Sequence, residues 1–277
     1  MKRSAFLGLL IAILIPVASY LLVKYYGEKA VVMPRKYFVD DVVQDTVNGK
    51  IVNDTIWHRT ANFKMVNQLG DTVNLYDIKG RIIVANFIFT HCAGICPAMT
   101  RNMKQVQTSF ATYKAGRRTI DSSIVHFLSF TIDPERDSAK QLKWFADKFN
   151  VNHDNWWFLR GSKAELNKVA FEEFKVDQFN DEPIDSSFIH TNKFVVLDKN
   201  YVVRGFYDGL DTVALSKMSK DIGLLMLEKD HKVKSTLFTK IIDLSWLWLI
   251  VVFLVIIFVL YITNQRKKTE VAIKSSK

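Results

Sequence analysis

Apolar positions recur along this chain with two different periods, and each change of period marks an element. Residues 82–89 form an apolar run, Asn86 apart, rich in β-branched and aromatic side chains. That is the pattern of a central strand covered on both faces. Residues 124–132 repeat it. Between the two, Met99, Met103, Val106 and Phe110 fall at helical spacing and make one apolar face. Pro97 opens that helix, where its missing N–H costs nothing. The second strand runs into Asp133-Pro134-Glu135-Arg136-Asp137, and a helix follows through Leu142, Phe145 and Phe149. Asp133 and Asp137 read as turn-forming and capping residues. Residues 156–159 predict a short strand, and residues 162–174 a helix with Ser162 as N-cap and Glu165 three positions later. A polar loop (177–187) precedes a hairpin of residues 194–197 and 202–206 around Lys199-Asn200, and residues 212–227 predict a closing helix. Upstream, Asn48-Gly49 predicts a turn between Val42-Val43 and Ile51-Val52, while residues 63–66 and 72–75 predict a second hairpin. Strands alternate with helices early, and a β-hairpin plus helix comes late. The expected architecture is an α/β domain with a parallel core and an antiparallel edge.

Two longer apolar runs flank that domain. Residues 6–23 carry no charge and follow Lys2-Arg3. Val17-Ala18-Ser19 resembles a signal-peptide cleavage site, but the apolar run continues past it, which favours an uncleaved anchor. No cysteine follows, so a lipoprotein anchor is excluded. Residues 244–262 are a second span, with Trp246, Trp248 and Tyr261 near its ends and Arg266-Lys267-Lys268 beyond it. Basic residues flank both outer ends, so the positive-inside rule places residues 1–5 and the basic tail 263–277 in the cytoplasm and exports the middle. The expected organisation is an anchor (6–23), a connector (24–60), the α/β domain (61–229), a second connector (230–243) and a second membrane helix (244–262). Charge changes this picture little. The two tails hold seven basic residues and one acid, and removing them from the formal net charge of +10 leaves +4 without a dense Lys/Arg block. A nucleic-acid surface would be clustered, so nucleic acid is not an expected partner.

The chemistry concentrates at Cys92 and Cys96, the chain's two cysteines, between a buried strand and a helix start. A bridge closing so short a loop would restrain the unfolded chain little, so a reactive or metal-binding pair is the better reading. Cys96 at a helix N-terminus is expected to favour the thiolate. Two thiolates are soft ligands suited to Cu(I) or zinc, and zinc would want a fourth ligand that the sequence does not offer. Of the histidines, His126 lies in an apolar strand and reads as a satisfied core residue, while His58, His153 and His231 lie in polar surroundings and read as solvated. His91 adjoins Cys92, but neighbours in an extended stretch point apart. His190 precedes the strand at 194–197, at the end where loops gather in such a fold, and is a candidate third ligand. Met99 and Met103 share the stripe of Val106 and Phe110 and read as core.

Four segments carry a specific resemblance. FIFTHCAGICP (87–97) resembles the CxxxCP signature of the SCO/SenC family, thioredoxin-like copper proteins of cytochrome c oxidase assembly. FTIDPERDS (130–138) is similar to that family's strand-end segment, WFLRG (157–161) to its next strand, and His190 with FVVLD (194–198) to its distal histidine and following strand. The resemblance spans roughly residues 63–227, with the segments in the family's order. It implies a thioredoxin-like fold with an added N-terminal hairpin, and a copper site of Cys92, Cys96 and His190. It also implies a role as a metallochaperone rather than an enzyme, with oxidase subunit II and a thiol reductant as partners, in a bacterial inner membrane with the domain facing the periplasm. Ala93-Gly94 stands where the family commonly has Pro-Asp, which removes a negative charge beside the site. The second membrane helix also departs from the usual single anchor.

A thiol–disulfide oxidoreductase could use the same residues, with Cys92 forming the mixed disulfide. Against it, the spacing is CxxxC, and no proline stands next to His190, the nearest being Pro183. A peroxidase is weaker still. The sequence favours copper binding.

Overall fold

The computed structural model describes residues 14–15, 17–22, 32–47, 50–114, 117–120, 124–180, 183–184 and 191–228. Its larger unit, Met33–Glu228, is the folded domain. In chain order it contains β1 (Val39–Val47), β2 (Lys50–Trp57), β3 (Lys64–Val66), β4 (Thr72–Asn74), β5 (Ile82–Ile88) and α1 (Cys96–Ser109). There follow β6 (Ala111–Lys114), β7 (Arg117–Ile120), β8 (Val125–Thr131), α2 (Ala139–Lys148), β9 (Trp156–Leu159) and α3 (Lys163–Asn167). The last elements are β10 (Lys193–Leu197), β11 (Val203–Asp208) and α4 (Thr212–Leu227).

The central sheet has the order β11-β10-β5-β8-β9. β5, β8 and β9 are parallel, with Ile83 opposite His126 and Leu128 opposite Trp157. β10 turns antiparallel to β5 and pairs with β11 as a hairpin. The parallel core with an antiparallel edge is therefore as the sequence predicts. Every residue of β5 and β8 is buried, because layers cover both faces. Ile82, Val84 and Ile88 of β5 pack with Met99 and Met103 of α1, Leu142 and Phe145 of α2, and Met218 and Ile222 of α4. The alternate residues Ile83, Ala85 and Phe87 pack on the other side with Met65, Val73, Leu166 and Phe174. Both methionines are thus core, as expected.

The local signals hold where their chemistry is specific. Ser162 and Glu165 form a reciprocal capping box at α3, which continues as a π-helical turn over Lys168–Glu173. Ser138 caps α2 by accepting from Gln141 N–H, and Asp211 caps α4 through Val213 and Ala214. The turn at Asn48-Gly49 lies outside the described residues; the flanking strands pair antiparallel, Val47 with Lys50. Its strands are longer than the sequence suggests, so much of the expected 24–60 connector is a β-ribbon. A third hairpin, β6–β7, has no counterpart in the sequence reading.

The expected membrane spans are described only in part. Residues 14–15 and 17–22 of the first are helical and exposed, and residues 244–262 lie outside the described residues. Among the described residues no helix is long and apolar enough to cross a membrane.

Candidate functional site

The parallel strands β5 and β8 end at the same edge of the sheet, and the turns leaving them meet there. The chain leaves β5 through Phe89 and turns at once, Cys92 N–H donating to the Phe89 carbonyl at 3.3 Å. It enters α1 at Cys96 with Ile95 in the cap position, in helical backbone conformation and without a side-chain cap. A residue that cannot cap leaves the first-turn N–H groups without a side-chain acceptor.

Both cysteines are free; Cys92 is half-buried and Cys96 buried. The Cys92 side chain and the Phe89 backbone lie close enough to act on the Cys96 thiol. The two cysteines thus lie in each other's neighbourhood. The expected Cys96 thiolate is not what the structure supports. Burial, with the hydrogen bond and charge of Cys92, pushes the Cys96 thiol up to about 12 from 9.0, despite the lowering backbone hydrogen bond from Phe89. Desolvation of a buried anion outweighs the helix N-terminus here. Cys96 is held as a protonated thiol until something replaces its proton.

Beneath this turn lies a carboxylate that the sequence reading assigned to turn formation and helix capping. Asp137 is fully buried and accepts from three donors. Thr90 N–H donates to Oδ2 at 3.1 Å and Thr90 Oγ1 to Oδ1 at 2.5 Å. Thr131 Oγ1 donates to Oδ2 at 2.5 Å while accepting from Asp133 N–H at 3.1 Å. Asp137 thus ties the start of the dithiol turn to the end of β8, and Ser138 does the capping. Asp133 sits at the surface with Arg136, 2.6 Å away. The available signal was Thr90, just beyond one buried strand, and Thr131, at the end of the next, with an acid six residues after Thr131.

Histidine placement also departs from expectation. His58 is held between Asp40 at 2.9 Å and Glu173 at 3.5 Å, and His153 between Gln68 and Asp147, both at 2.9 Å, so neither is merely solvated. His126 is buried but only half satisfied, since its Nε2 has no hydrogen-bond partner. His190 and His231 lie outside the described residues. The described chain resumes at Thr191, at the N-terminal end of β10, which lies antiparallel beside the C-terminal end of β5. Among the described residues no group of three or more His, Cys, Asp or Glu side chains is arranged to hold a metal. The donor chemistry of the paired thiols is nonetheless that of a soft ion.

A family model described as SCO1/SenC matches residues 57–224. The SCO1 protein homolog of Bacillus subtilis is 34% identical over 175 residues, which cover 63% of this chain and 86% of that protein. Protein SCO1 homolog 1, mitochondrial, of Arabidopsis thaliana is 26% identical over 134 residues, 48% of this chain and 37% of its own length. Among solved structures, BsSco, a member of the Sco family of cytochrome c oxidase assembly proteins in which a disulfide switch has been identified, superposes with a TM-score of 0.51. It is 28% identical, and the match covers 70% of this chain and all of BsSco.

Proposed function

The chain belongs to the SCO1/SenC family, and from that premise we propose that it is a membrane-anchored copper-binding protein that delivers copper to the dinuclear copper site of cytochrome c oxidase during assembly. The observation that carries the reading is the pair of free thiols, Cys92 and Cys96, neighbours at the sheet edge. Paired thiols are the donor set of a soft ion, and Cu(I) fits them better than Cu(II). His190 supplies the third ligand through its imidazole. The raised affinity of Cys96 for its proton has a consequence in this role, because copper must displace that proton to gain the second thiolate. Copper is cargo rather than a resident cofactor: it arrives, exchanges ligands and leaves. A thiol reductant keeps the pair open, and oxidase subunit II is the acceptor.

The apolar runs at residues 6–23 and 244–262 hold the domain at a bacterial inner membrane. The domain faces the periplasm and both termini lie in the cytoplasm. Tethering raises the effective concentration of donor relative to a membrane-bound acceptor.

The full chain, purified reduced in detergent and titrated anaerobically with Cu(I), should take up a single ion, and His190→Ala should weaken binding sharply. Unchanged copper affinity in that variant, together with high dithiol reductase activity, would move the assignment to a thiol–disulfide oxidoreductase. A reporter fused after Lys277 should be cytoplasmic; a periplasmic signal there would overturn the two-span topology.

A further inference from the structure

One side chain beside the dithiol is set up for ligand chemistry and has no part in the three-ligand site. The His91 side chain is 51% exposed and immediately precedes Cys92. The chain turns here rather than running extended, Cys92 N–H donating back to the Phe89 carbonyl. Its Nδ1 lies 3.1 Å from Thr90 Oγ1 and 3.7 Å from Asp137 Oδ1.

Hydrogen-bond bookkeeping then assigns the imidazole proton. A threonine hydroxyl has one hydrogen to give. Thr90 gives it to Asp137 at 2.5 Å, the shorter of its two contacts, so the hydroxyl can only accept from His91. The Nδ1 must therefore carry a proton and donate it to Thr90 Oγ1. Thr90 N–H and the Thr131 hydroxyl both donate to Asp137 Oδ2, which holds this carboxyl as an acceptor beside Thr90. With the proton on Nδ1, the Nε2 of a neutral imidazole carries the free lone pair. A metal-binding histidine is commonly oriented in this way, one nitrogen donating inward to a fixed acceptor so that the other faces the ion.

We infer that His91 is an exit ligand, the imidazole that takes Cu(I) through Nε2 as the ion leaves the dithiol, with Asp137 and Thr90 as its positioning residues. The inference rests on the copper-delivery reading. In the exchange a Cu(I)–Nε2 bond forms as a Cu(I)–sulfur bond to Cys92 breaks. Each ligand keeps its own electron pair, copper stays Cu(I), and the released thiolate takes a proton from water. Cys92 is the sulfur released because it is half-exposed whereas Cys96 is buried, and because its Cα lies about 3.8 Å from that of His91 across the peptide bond.

Two measurements on the full chain in detergent test this. Long-range ¹H–¹⁵N correlation of the metal-free, ¹⁵N-histidine-labelled protein should show His91 as the Nδ1–H tautomer. Thr90→Val should lose that tautomer and Thr90→Ser should keep it; an Nε2–H tautomer in the parent would overturn the relay. Stopped-flow transfer of Cu(I) to bathocuproine disulfonate should be about tenfold slower in His91→Ala and in Thr90→Val, with equilibrium affinity changed less than about twofold, and Thr90→Ser should match the parent. A parent that takes up no copper sinks the delivery reading and this inference with it. If the parent binds and releases copper while His91→Ala transfers at the same rate, the exit-ligand inference alone is wrong. It is equally wrong if affinity falls in step with rate, because His91 would then be a resident ligand.

Discussion

Acid should destabilise this domain through His126. The residue sits on β8 in the middle of the sheet, fully buried, with Trp157 edge-on at 4.3 Å between ring centroids. Arg81 Nη1 lies 3.2 Å from its Nδ1, and a guanidinium can only donate. The Nδ1 therefore accepts, which puts the imidazole proton on Nε2, where no acceptor is found. Burial first, and the Arg81 charge second, hold the pKa down to about 3 from 6.5. The sign follows from which state binds the proton. Between those values the unfolded chain is protonated at His126 and the folded domain is not. Stability is therefore lost as pH falls below 6.5, and is independent of this group above it. The slope is about 1.4 kcal/mol per pH unit, so about 2 kcal/mol is gone by about pH 5. His126→Leu abolishes this slope. It also removes a buried donor without an acceptor, a relief of about 1–3 kcal/mol at any pH, while half-buried Arg81 can turn to water. Urea unfolding of the parent and His126→Leu in detergent, at about pH 7 and about pH 5, should show the variant at least as stable at the higher pH and pulling ahead at the lower. Equal pH slopes in the two proteins would refute the reasoning.

Two other perturbations test the packing and the dithiol. A Cβ at Gly205 would sit 2.5 Å from the Tyr207 ring, whose hydroxyl donates to Asp221 at 2.7 Å; Gly205→Ala should cost about 1–3 kcal/mol by urea unfolding, as overpacking does. In the reduced, metal-free protein, iodoacetamide should label half-buried Cys92 well before buried Cys96. With Cys96 pushed up to about 12, only about one molecule in ten thousand has it ionised near pH 8. Peptide mass spectrometry showing Cys96 modified first would contradict that placement.

The elements legible in the sequence are those whose neighbours impose one repeating demand on every residue. β5 and β8 lie between two layers, so most positions had to be apolar, and the run was visible. The capping box at Ser162 and the closing helix at Thr212 were legible because their chemistry is complete within a few residues. β6–β7 was not, because among the described residues Ala111–Lys114 and Arg117–Ile120 pair only with each other, outside the central sheet whose two covering layers demand apolar positions. The histidines misread as solvated fail for a related reason. The Glu173 that reaches His58, and the Gln68 that reaches His153, come from other parts of the chain, and no local window contains them.

The dithiol shows the same division at the level of a single site. Cys92, Cys96 and the turn between them could be located from spacing alone, because strand, loop and helix start are local features. Their electrostatics could not. The expectation of a Cys96 thiolate used the one local influence visible in the sequence, the helix N-terminus, whereas burial under the rest of the domain decides the outcome. Asp137 is the converse case. In sequence it closes an acidic, proline-containing turn and looks like a capping residue. In the fold its side chain goes inward, because Thr90 and Thr131 end two adjacent parallel strands and bring three donors to one point. An acid so buried persists only if its acceptors are filled. The same filling sets the direction of the Thr90 hydroxyl, which donates to Asp137.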